Sequence, residues 1–218
     1  MISKAVIFDL DGTILDTLPD LANSLNLALA AAGFPTLDLP TFRPMVGNGM
    51  TKMIERALPE GRRDSETLGR ILGHFKKEYA LRQCDQTRPY AGIPELLAQL
   101  LAQGWTLGVL SNKDQENALA VVNHYFPKTF SQILGVKPGA PTKPDPSGAL
   151  ELCRAFGQEP SQVVYVGDSG VDMATAKGAG CPPIGVAWGF RPREELIAGG
   201  ALAILAQPLD FFDVIQKL

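Results

Sequence analysis

The fold of this chain is decided by residues 5–13, Ala-Val-Ile-Phe-Asp-Leu-Asp-Gly-Thr. The stretch begins with an uninterrupted apolar run at residues 5–8, which is typical of a strand that is covered on both faces. Strands are covered on both faces where helices flank a parallel sheet, so the run predicts the first strand of an α/β domain. The polar residues that follow it would then lie at the carboxyl end of that strand.

Further apolar runs alternate with helical patterns along the chain. The runs lie at residues 107–110, 163–166, 184–187 and 202–205. Apolar residues spaced three and four apart predict helices between them, at about residues 93–101, 118–125 and 149–156. A strand–helix–strand series of this kind implies right-handed crossovers and a mostly parallel sheet. The prediction is an α/β fold whose core is a Rossmann-like parallel sheet.

The segment from Leu15 to about Gln83 departs from this alternation and carries only helix signals. It comprises an apolar stripe at residues 18–29, a second stretch at 51–58 and a third at 68–79. A helical segment of this length cannot be a single crossover helix. We therefore predict a small helical cap domain at residues 16–83, inserted into an α/β core that comprises residues 1–15 and 84–218.

The composition excludes several classes of protein. The chain has 218 residues, of which 45% are hydrophobic and 20% are charged, so it is not a disordered chain. Its 20 basic and 23 acidic residues give a net charge of −3, which argues against a nucleic-acid partner bound through a broad basic face. No apolar stretch is long enough for a transmembrane helix, and the amino terminus lacks a signal-peptide pattern. We expect a cytoplasmic protein without a membrane partner, whose oligomeric state the sequence leaves open.

The cysteines and histidines do not form a recognisable site. Cys84, Cys153 and Cys181 are widely spaced along the chain, so neither a disulfide framework nor a zinc site is expected. His74 and His124 lie in helix-like stretches without a second histidine or a cysteine nearby. A catalytic histidine triad or a histidine metal site is therefore not expected.

The first strand leads into a pair of carboxylates, Asp9 and Asp11. Side chains alternate along an extended chain, so both carboxylates point to the same side, where they would repel each other unless a proton or a cation intervened. Gly12 and Thr13 then suit a tight turn whose backbone N–H groups could bind an anion. An ordinary Asp-Gly turn is the alternative. In parallel α/β sheets, however, ligands bind beyond the carboxyl ends of the strands, which is where this pair would lie.

Three further strand or loop ends supply polar groups. Ser111 and Asn112 follow the apolar run at residues 107–110, although a serine helix cap would also explain Ser111. Lys143 lies in a loop that is stiffened by two prolines, although a surface lysine is the alternative. Asp168 follows the run at 163–166, and Asp172 comes four residues later.

Taken together, these residues predict phosphoryl transfer. A carboxylate at the end of a parallel strand suits an oxygen-preferring cation such as Mg²⁺, although helix capping would also explain Asp168 and Asp172. Two aspartates, a serine, a lysine and a further aspartate supply a nucleophile, an acid–base group, oxygen donors and charge neutralisation. A Walker A sequence, the phosphate-binding loop of another class of enzymes, is absent from the chain.

This ordered set of residues resembles the haloacid dehalogenase superfamily of phosphatases over essentially the whole chain. The resemblance rests on residues 9–13, Ser111, Lys143 and residues 167–172. The helical insertion is similar to the small cap of one branch of that superfamily. Within the branch, the sequence resembles the phosphoglycolate phosphatases at residues 16–17, 46–50, 56–58 and 187–190.

The resemblance implies a role for each acidic residue. Asp9 would attack phosphorus and form an aspartyl-phosphate, and Asp11 would protonate the leaving group and then activate water. Mg²⁺ would bind Asp9, the backbone carbonyl of Asp11 and Asp168, with Asp172 as an outer or water-mediated partner. Ser111 and Lys143 would bind the phosphate oxygens.

The implied substrate is a small phosphate ester, most specifically 2-phosphoglycolate. The expected substrate-binding residues are Gly12, Thr13, Asn112, Gly47, Asn48 and Gly49. The last three form either a substrate loop or only a turn between helices. The substrate carboxylate would need a partner, for which Arg43, Lys52 and Arg191 are the cationic candidates beside Asn48 and the nearby backbone N–H groups.

Four other functions use related sets of residues. A dehalogenase with the same nucleophile needs neither a leaving-group acid nor a metal. A sugar-phosphate mutase, or a phosphatase for another small metabolite, would use the same scaffold. A signalling receiver module also combines acidic residues with a lysine, but its phospho-accepting aspartate ends a later strand and its domain is much shorter. Turnover separates the last case, because an enzyme releases many phosphates per chain.

Overall fold

A computed structural model describes residues 4–218. The strands are β1 (Ala5–Phe8), β2 (Leu15–Asp16), β3 (Arg88–Pro89), β4 (Thr106–Asp114), β5 (Gln132–Val136), β6 (Val164–Gly167), β7 (Pro183–Val186) and β8 (Ala203–Leu205). The helices are α1 (Leu18–Ala31), α2 (Leu39–Phe42), α3 (Met50–Ala57), α4 (Ser65–Arg82), α5 (Ile93–Ala102), α6 (Gln115–Tyr125), α7 (Ser147–Phe156), α8 (Gly170–Ala179), α9 (Arg193–Gly199) and α10 (Asp210–Ile215). Short 3₁₀ helices occur at Arg43–Met45, Glu60–Arg62 and Pro160–Gln162. None of the described helices is both long and apolar enough to cross a membrane.

A six-stranded sheet forms the core, in the order β5-β4-β1-β6-β7-β8, and all neighbouring strands run parallel. This confirms the predicted α/β fold with a parallel sheet. Strand β1 lies at the centre, where Phe8 pairs with Val109 of β4 and with Val166 of β6. The backbone N–H of Asp9 continues the pairing, because it donates to the carbonyl of Val166 at 2.8 Å. The first acidic residue is therefore placed directly beside the carboxyl end of β6.

The sheet differs from the prediction on the β4 side. Strand β4 does not end at Leu110 but continues to Asp114, so Ser111 and Asn112 lie within the strand rather than after it. The prediction also missed β5, which pairs with β4 at the edge of the sheet. Residues 133–136, Ile-Leu-Gly-Val, form a short apolar run that the sequence prediction passed over. The residues of β5 are half-buried or exposed, as expected of an edge strand that is covered less completely than a central one.

Helices α1, α2, α3 and α4, here called the cap helices, pack around a hydrophobic cluster of their own. The predicted stripe of α1, with Leu25 and Leu29 fully buried, packs against Ile71 and Phe75 of α4. Among the described residues, Phe190 is the one member of this cluster that lies outside the predicted cap. Helices whose apolar faces pack on each other can keep one structure while they lie over the sheet. An inserted cap requires such a hydrophobic cluster of its own. The domain boundaries at residues 16 and 83 remain a prediction.

The chain enters and leaves the cap helices side by side. Strands β2 and β3 form an antiparallel ribbon in which Asp16 pairs with Arg88. Leu15 and Asp16, predicted to begin a purely helical segment, are therefore a short strand. The buried Asp20 of α1 reinforces the ribbon, because its carboxylate accepts hydrogen bonds from the backbone N–H groups of Gln86 and Thr87 at 2.8 to 3.0 Å. A carboxylate buried in this way fixes the start of α1 against the returning chain.

Candidate active site

The turn after β1 sets the positions of the first two aspartates. Leu10 is fully buried, while Asp9 and Asp11 both line a cleft above the sheet, as the alternation of side chains predicts. The backbone then folds back on itself, since the N–H of Thr13 donates to the carbonyl of Leu10 at 3.2 Å. Gly12 makes this turn with a φ of +91°, which side chains rarely allow.

Lys143 occupies the centre of the site. Its ammonium lies 2.6 Å from Oδ1 of Asp9 and 2.7 Å from Oδ1 of Asp172. Burial alone would lower the pKa of Lys143, but the charges of Asp172 and Asp9 outweigh burial and raise it well above its usual value. Lys143 is therefore a buried cation that partly neutralises the two carboxylates, rather than the surface lysine of the alternative interpretation.

Asp168, at the carboxyl end of β6, is enclosed by backbone. Its Oδ2 accepts a hydrogen bond of 2.6 Å from the backbone N–H of Phe190. Gly12 and Gly189 pack directly against the carboxylate, so that a Cβ on either glycine would overlap it. Helix capping does not explain this residue, because Ser169 is the N-cap of α8. The surrounding chain thus holds the Asp168 carboxylate in one orientation.

Asp172 uses both of its carboxylate oxygens within the protein. Oδ1 accepts from Lys143 and, at 3.3 Å, from the hydroxyl of Tyr165. Oδ2 accepts from the hydroxyl and the backbone N–H of Ser169, at 2.6 and 3.1 Å, which completes a capping box at the start of α8. Helix capping therefore does apply to Asp172, and its second contact is with Lys143.

The three buried carboxylates form a cluster that fits a divalent cation. Oxygen atoms of Asp9, Asp168 and Asp172 all lie within 4.8 Å of one another. Burial and the charge of Asp172 raise the pKa of Asp9 to about 7. Burial, followed by the charges of Asp172 and Asp9, raises the pKa of Asp168 well above its usual value. Lys143 alone does not balance this negative charge, and an oxygen-only donor set suits Mg²⁺.

Ser111 and Asn112 of β4 both line the cleft. Of the two side chains, that of Ser111 has a proton free to donate to a ligand. The Ser111 hydroxyl accepts from the backbone N–H of Lys113 at 3.2 Å, and its own proton remains available. The Asn112 amide donates to the carbonyls of Gly47 and Lys143, both at 3.1 Å, and accepts from the N–H of Lys143 at 2.8 Å. The Asn112 side chain thus ties three segments together.

Lys113 is a site residue that the sequence analysis missed. Its buried ammonium lies 2.7 Å from Oδ1 and 3.0 Å from Oδ2 of Asp11. Burial would lower the pKa of Lys113, but the carboxylate of Asp11, together with Tyr79, raises it. The signal that could have found it is alternation, because Lys113 stands two residues after Ser111 and so faces the same side of β4.

The cleft between the sheet and the cap helices has a volume of about 560 Å³, part of which is open to solvent. Its floor is polar and contains Asp9, Asp11, Ser111, Lys113, Lys143 and Asp168. Its roof is largely apolar and contains Leu21, Val46, Met50, Met53 and Tyr79, together with Gly47 and Gly49. The structure therefore brings the predicted phosphate-handling residues together beneath an apolar cover.

Several predicted substrate residues do not line this cleft. Gly12 and Thr13 are buried beneath it, and the Thr13 hydroxyl has no hydrogen-bond partner among the described residues. Asn48 lies between two lining glycines, but its side-chain oxygen accepts from Arg56 at 2.8 Å. The structure thus gives the side chain of Asn48 a partner within the cap helices.

The three candidate cations for a substrate carboxylate also lie outside the cleft lining. Arg43 donates to the carbonyl of Gly189 at 3.1 Å, and Arg191 donates to the carbonyls of Arg43 and Val46. Lys52 is exposed and pairs with a neighbouring glutamate at 2.7 Å. The two arginines therefore join residues 43–46 to residues 189–191 by hydrogen bonds. Among the described residues, the cations that line the cleft are Lys113 and Lys143, on its floor.

Similarity to known proteins extends over most of the chain. The model of the haloacid dehalogenase-like hydrolase family matches residues 6–186. A phosphoglycolate phosphatase of Mesorhizobium japonicum is 37% identical over 192 residues, which cover 87% of this chain and 85% of that protein. A phosphoglycolate phosphatase of Rhodospirillum rubrum is 37% identical over 209 residues, which cover 92% of this chain and 86% of that protein. The crystal structure of a predicted phosphoglycolate phosphatase from Haemophilus somnus 129PT has a TM-score of 0.91 and 29% identity, and covers 98% of both chains.

Proposed function

We propose that this chain, which belongs to the haloacid dehalogenase-like hydrolase family, cleaves a small phosphate ester through an aspartyl-phosphate formed on Asp9. Its relatives make it a phosphoric monoester hydrolase. The observation that carries this proposal is the position of Lys143, whose ammonium lies 2.6 Å from Asp9 in a buried site. A carboxylate nucleophile repels a phosphate anion unless a cation lies beside both. Lys143 supplies that charge where the phosphate would bind.

The reaction proceeds in two displacements. A carboxylate oxygen of Asp9 attacks phosphorus, the bond from phosphorus to the ester oxygen breaks, and Asp11 gives its proton to the departing oxygen. A water molecule then attacks phosphorus while Asp11 takes a proton from it, and the bond from phosphorus to Asp9 breaks. Phosphate leaves, and the Asp9 carboxylate is restored. Ser111 and Lys143 donate hydrogen bonds to the phosphate oxygens in both steps.

The acidic cluster is the proposed site for Mg²⁺. Asp9 and Asp168 would hold the ion together with the backbone carbonyl of Asp11, while Asp172, whose oxygens are bound by Lys143 and Ser169, would act through its neighbours. When bound, Mg²⁺ supplies positive charge that stabilises the negative charge on the transferring phosphoryl group.

We propose 2-phosphoglycolate as the preferred substrate. The relatives from Mesorhizobium japonicum and Rhodospirillum rubrum bear the name phosphoglycolate phosphatase, and this chain spans most of the length of both. The roof of the cleft offers a complementary feature, because Gly49 is the N-cap of α3 and makes no side-chain cap. The first N–H groups of an uncapped helix favour an anion such as the glycolate carboxylate.

The apolar roof distinguishes this substrate from the alternatives. A sugar-phosphate mutase or a nucleotidase would have to bury hydroxyl groups against Leu21, Met50 and Met53, and each unpaired hydroxyl would cost about 1–3 kcal/mol. A dehalogenase needs neither a leaving-group acid nor a metal, so Asp11 and Asp168 would have no role in its reaction. A receiver module would stop after a single phosphorylation of Asp9.

The test is a substrate panel assayed with Mg²⁺. We expect kcat/KM to be higher for 2-phosphoglycolate than for glucose 1-phosphate, glucose 6-phosphate or AMP. Ethyl phosphate, which lacks the carboxylate, is the matched control for the interaction with α3. A hexose phosphate or a nucleotide that is preferred by about tenfold would refute the 2-phosphoglycolate assignment, since 1.4 kcal/mol separates substrates by that factor.

The covalent intermediate is tested separately from the substrate. Asp11→Asn should slow the second displacement, so that the phosphorylated chain accumulates and is detected by mass spectrometry after rapid acid quenching. The Asp9→Asn variant is the control and should show no added phosphate. Phosphate on any residue other than Asp9 would refute the mechanism while leaving the substrate preference open.

A further inference from the structure

Asp11 does not stand alone in the cleft but forms an ion pair with Lys113 that crosses from β4. The side chain of Lys113 is 4% exposed and that of Asp11 is 14% exposed, and the ammonium reaches both carboxylate oxygens. Buried ion pairs are costly to desolvate, and they are weak evidence for a purely stabilising role. The pair involves the residue to which the proposed function assigns both proton transfers.

The opposite side of Lys113 faces the cap helices. Its ammonium lies 4.9 Å from the ring centroid of Tyr79 in α4, within the range of a cation–π contact. The next residue of β4, Asp114, pairs with Lys76 at 3.3 Å, one helical turn before Tyr79. The end of β4 therefore contacts α4 at two successive residues, and only the contact through Lys113 continues to Asp11.

We propose that Lys113 is a positioning residue that holds the carboxyl group of Asp11 in place for proton transfer and links that position to the docked cap helix α4. This inference rests on the proposed function, because it concerns the proton carrier of that reaction. An aspartate side chain without such a partner can adopt several staggered rotamers. Lys113 and Tyr79 together select one of them.

The two oxygens of Asp11 lie at different distances from the Lys113 ammonium. Oδ1 is the closer one to the ammonium, at 2.7 Å, and would keep this hydrogen bond while Asp11 acts as the acid. Oδ2, at 3.0 Å, is the longer contact and would be the oxygen that gives the proton to the leaving group. A carboxylic acid can accept at one oxygen and donate from the other, so Lys113 can stay in contact throughout.

The test uses leaving groups that differ in their need for an acid. Ethyl phosphate releases a strongly basic alkoxide and needs a proton from Asp11, whereas 2,4-dinitrophenyl phosphate releases a stable anion and does not. In the presence of Mg²⁺, Lys113→Met should lower kcat/KM for ethyl phosphate by about 100-fold, the loss expected from a displacement of about 1 Å at a reacting group. The same variant should lower kcat/KM for 2,4-dinitrophenyl phosphate far less, so the measured quantity is the ratio of the losses on the two substrates.

Three further variants separate positioning from a loss of structure. Lys113→Arg keeps the cation and should restore most of the activity on ethyl phosphate. Tyr79→Leu removes the ring but keeps an apolar side chain at this position of α4, and should reproduce the selective loss to a smaller extent. It also provides a test if Lys113→Met does not fold. Lys76→Met removes the neighbouring ion pair at Asp114 and should not change the ratio between the two substrates.

The double variant decides whether Lys113 acts through Asp11. Adding Lys113→Met to Asp11→Asn should cause no further loss on ethyl phosphate, because the group to be positioned is already absent. If Asp11→Asn loses activity selectively on ethyl phosphate and Lys113→Met does not, the inference is wrong and the proposed function stands. If Asp11→Asn shows no selective loss, the role of Asp11 in the proposed function is itself wrong. If Lys113→Met weakens only esters that carry a carboxylate, the lysine binds substrate and does not position Asp11.

Discussion

Replacing Gly12 by alanine should weaken metal binding, because the added methyl group would collide with the Asp168 carboxyl group. A Cβ on Gly12 would lie 2.9 Å from Cγ of Asp168 and 2.9 Å from Cδ2 of Phe190, and would overlap Oδ2 of Asp168 outright. The carboxylate has little freedom to withdraw, since Oδ2 is held by the backbone N–H of Phe190 at 2.6 Å. Either the carboxylate or the turn that contains Asp11 must therefore move.

The two consequences have different sizes and are measured separately. The φ of +91° at Gly12 is unfavourable for alanine, which should destabilise the folded chain by about 1–3 kcal/mol. Disturbing the orientation of a metal ligand typically costs about 10–100-fold in metal affinity. We therefore expect the Mg²⁺ concentration for half-maximal activity to rise by that factor, as measured by titrating Mg²⁺ into the chelator-treated enzyme. Urea unfolding monitors the loss of stability.

Two other glycines provide matched controls. Gly33 has a φ of +78°, and a Cβ there would meet no described atom within 4 Å, so Gly33→Ala reports the backbone cost alone. A Cβ on Gly189 would lie 2.6 Å from Oδ2 of Asp168 and 2.6 Å from the carbonyl oxygen of Gly12, and φ is not positive at this position. Gly189→Ala thus reports the collision alone. If Gly12→Ala and Gly33→Ala require the same Mg²⁺ concentration, our account of the Asp168 enclosure is wrong.

Three further predictions concern the acidic cluster. Asp9→Asn should abolish turnover and leave Tm within a few degrees of the wild type, because the amide is a poor nucleophile but fills the same space; activity close to wild type would contradict the assigned role. Chelation should remove activity, and added Mg²⁺ should restore it. Ca²⁺ should replace Mg²⁺ poorly, because its coordination shell is larger and less regular. Full activity in chelator, in protein that metal analysis shows to be metal-free, would rule out the metal site. In the metal-free protein, the pKa of Asp9 is raised from 3.8 to about 7. Stability is therefore greatest below pH 3.8 for this group and is lost as the pH rises through about 7, by up to roughly 4 kcal/mol at 1.36 kcal/mol per pH unit. Urea unfolding with chelator at pH 5 and pH 8 should show about 3 kcal/mol of this loss, because only the two pH units between pH 5 and the pKa of about 7 contribute. Mg²⁺ should reduce the difference, and equal stability at both pH values would contradict it.

The parts of the site that the sequence could predict are those that follow from strand ends. Asp9 and Asp168 come directly after apolar runs, and parallel pairing brings the carboxyl ends of β1 and β6 to one edge of the sheet. Lys143 was predicted from its stiff loop, although the sequence did not show that Asp9 and Asp172 would both contact it. Local patterns therefore place residues at an edge, but they do not determine which pairs touch.

The parts that the sequence could not predict depend on how distant segments approach each other. Alternation from Ser111 indicates the face on which Lys113 lies, but its contacts with Asp11 and Tyr79 depend on the continuation of β4 beyond Leu110 and on α4 covering the end of that strand. The same holds away from the site, where Cys153 and Cys181 are far apart in sequence but their Sγ atoms lie 3.7 Å apart in the core. Spacing along the chain carries no information about such contacts.

The ribbon of β2 and β3 would allow the inserted cap helices to be replaced by another insertion. Because Leu15 pairs with Pro89, the entry and exit of the inserted helices are already joined, and the parallel sheet receives the same two chain ends whatever lies between them. A longer, shorter or unrelated insertion could thus be grafted at this junction while Asp9 keeps its place beside β6. An insertion exchanged at this junction would leave Asp9 in place, but on our proposal it would also have to supply a partner for Lys113 where Tyr79 now lies, because the orientation of Asp11 depends on that contact.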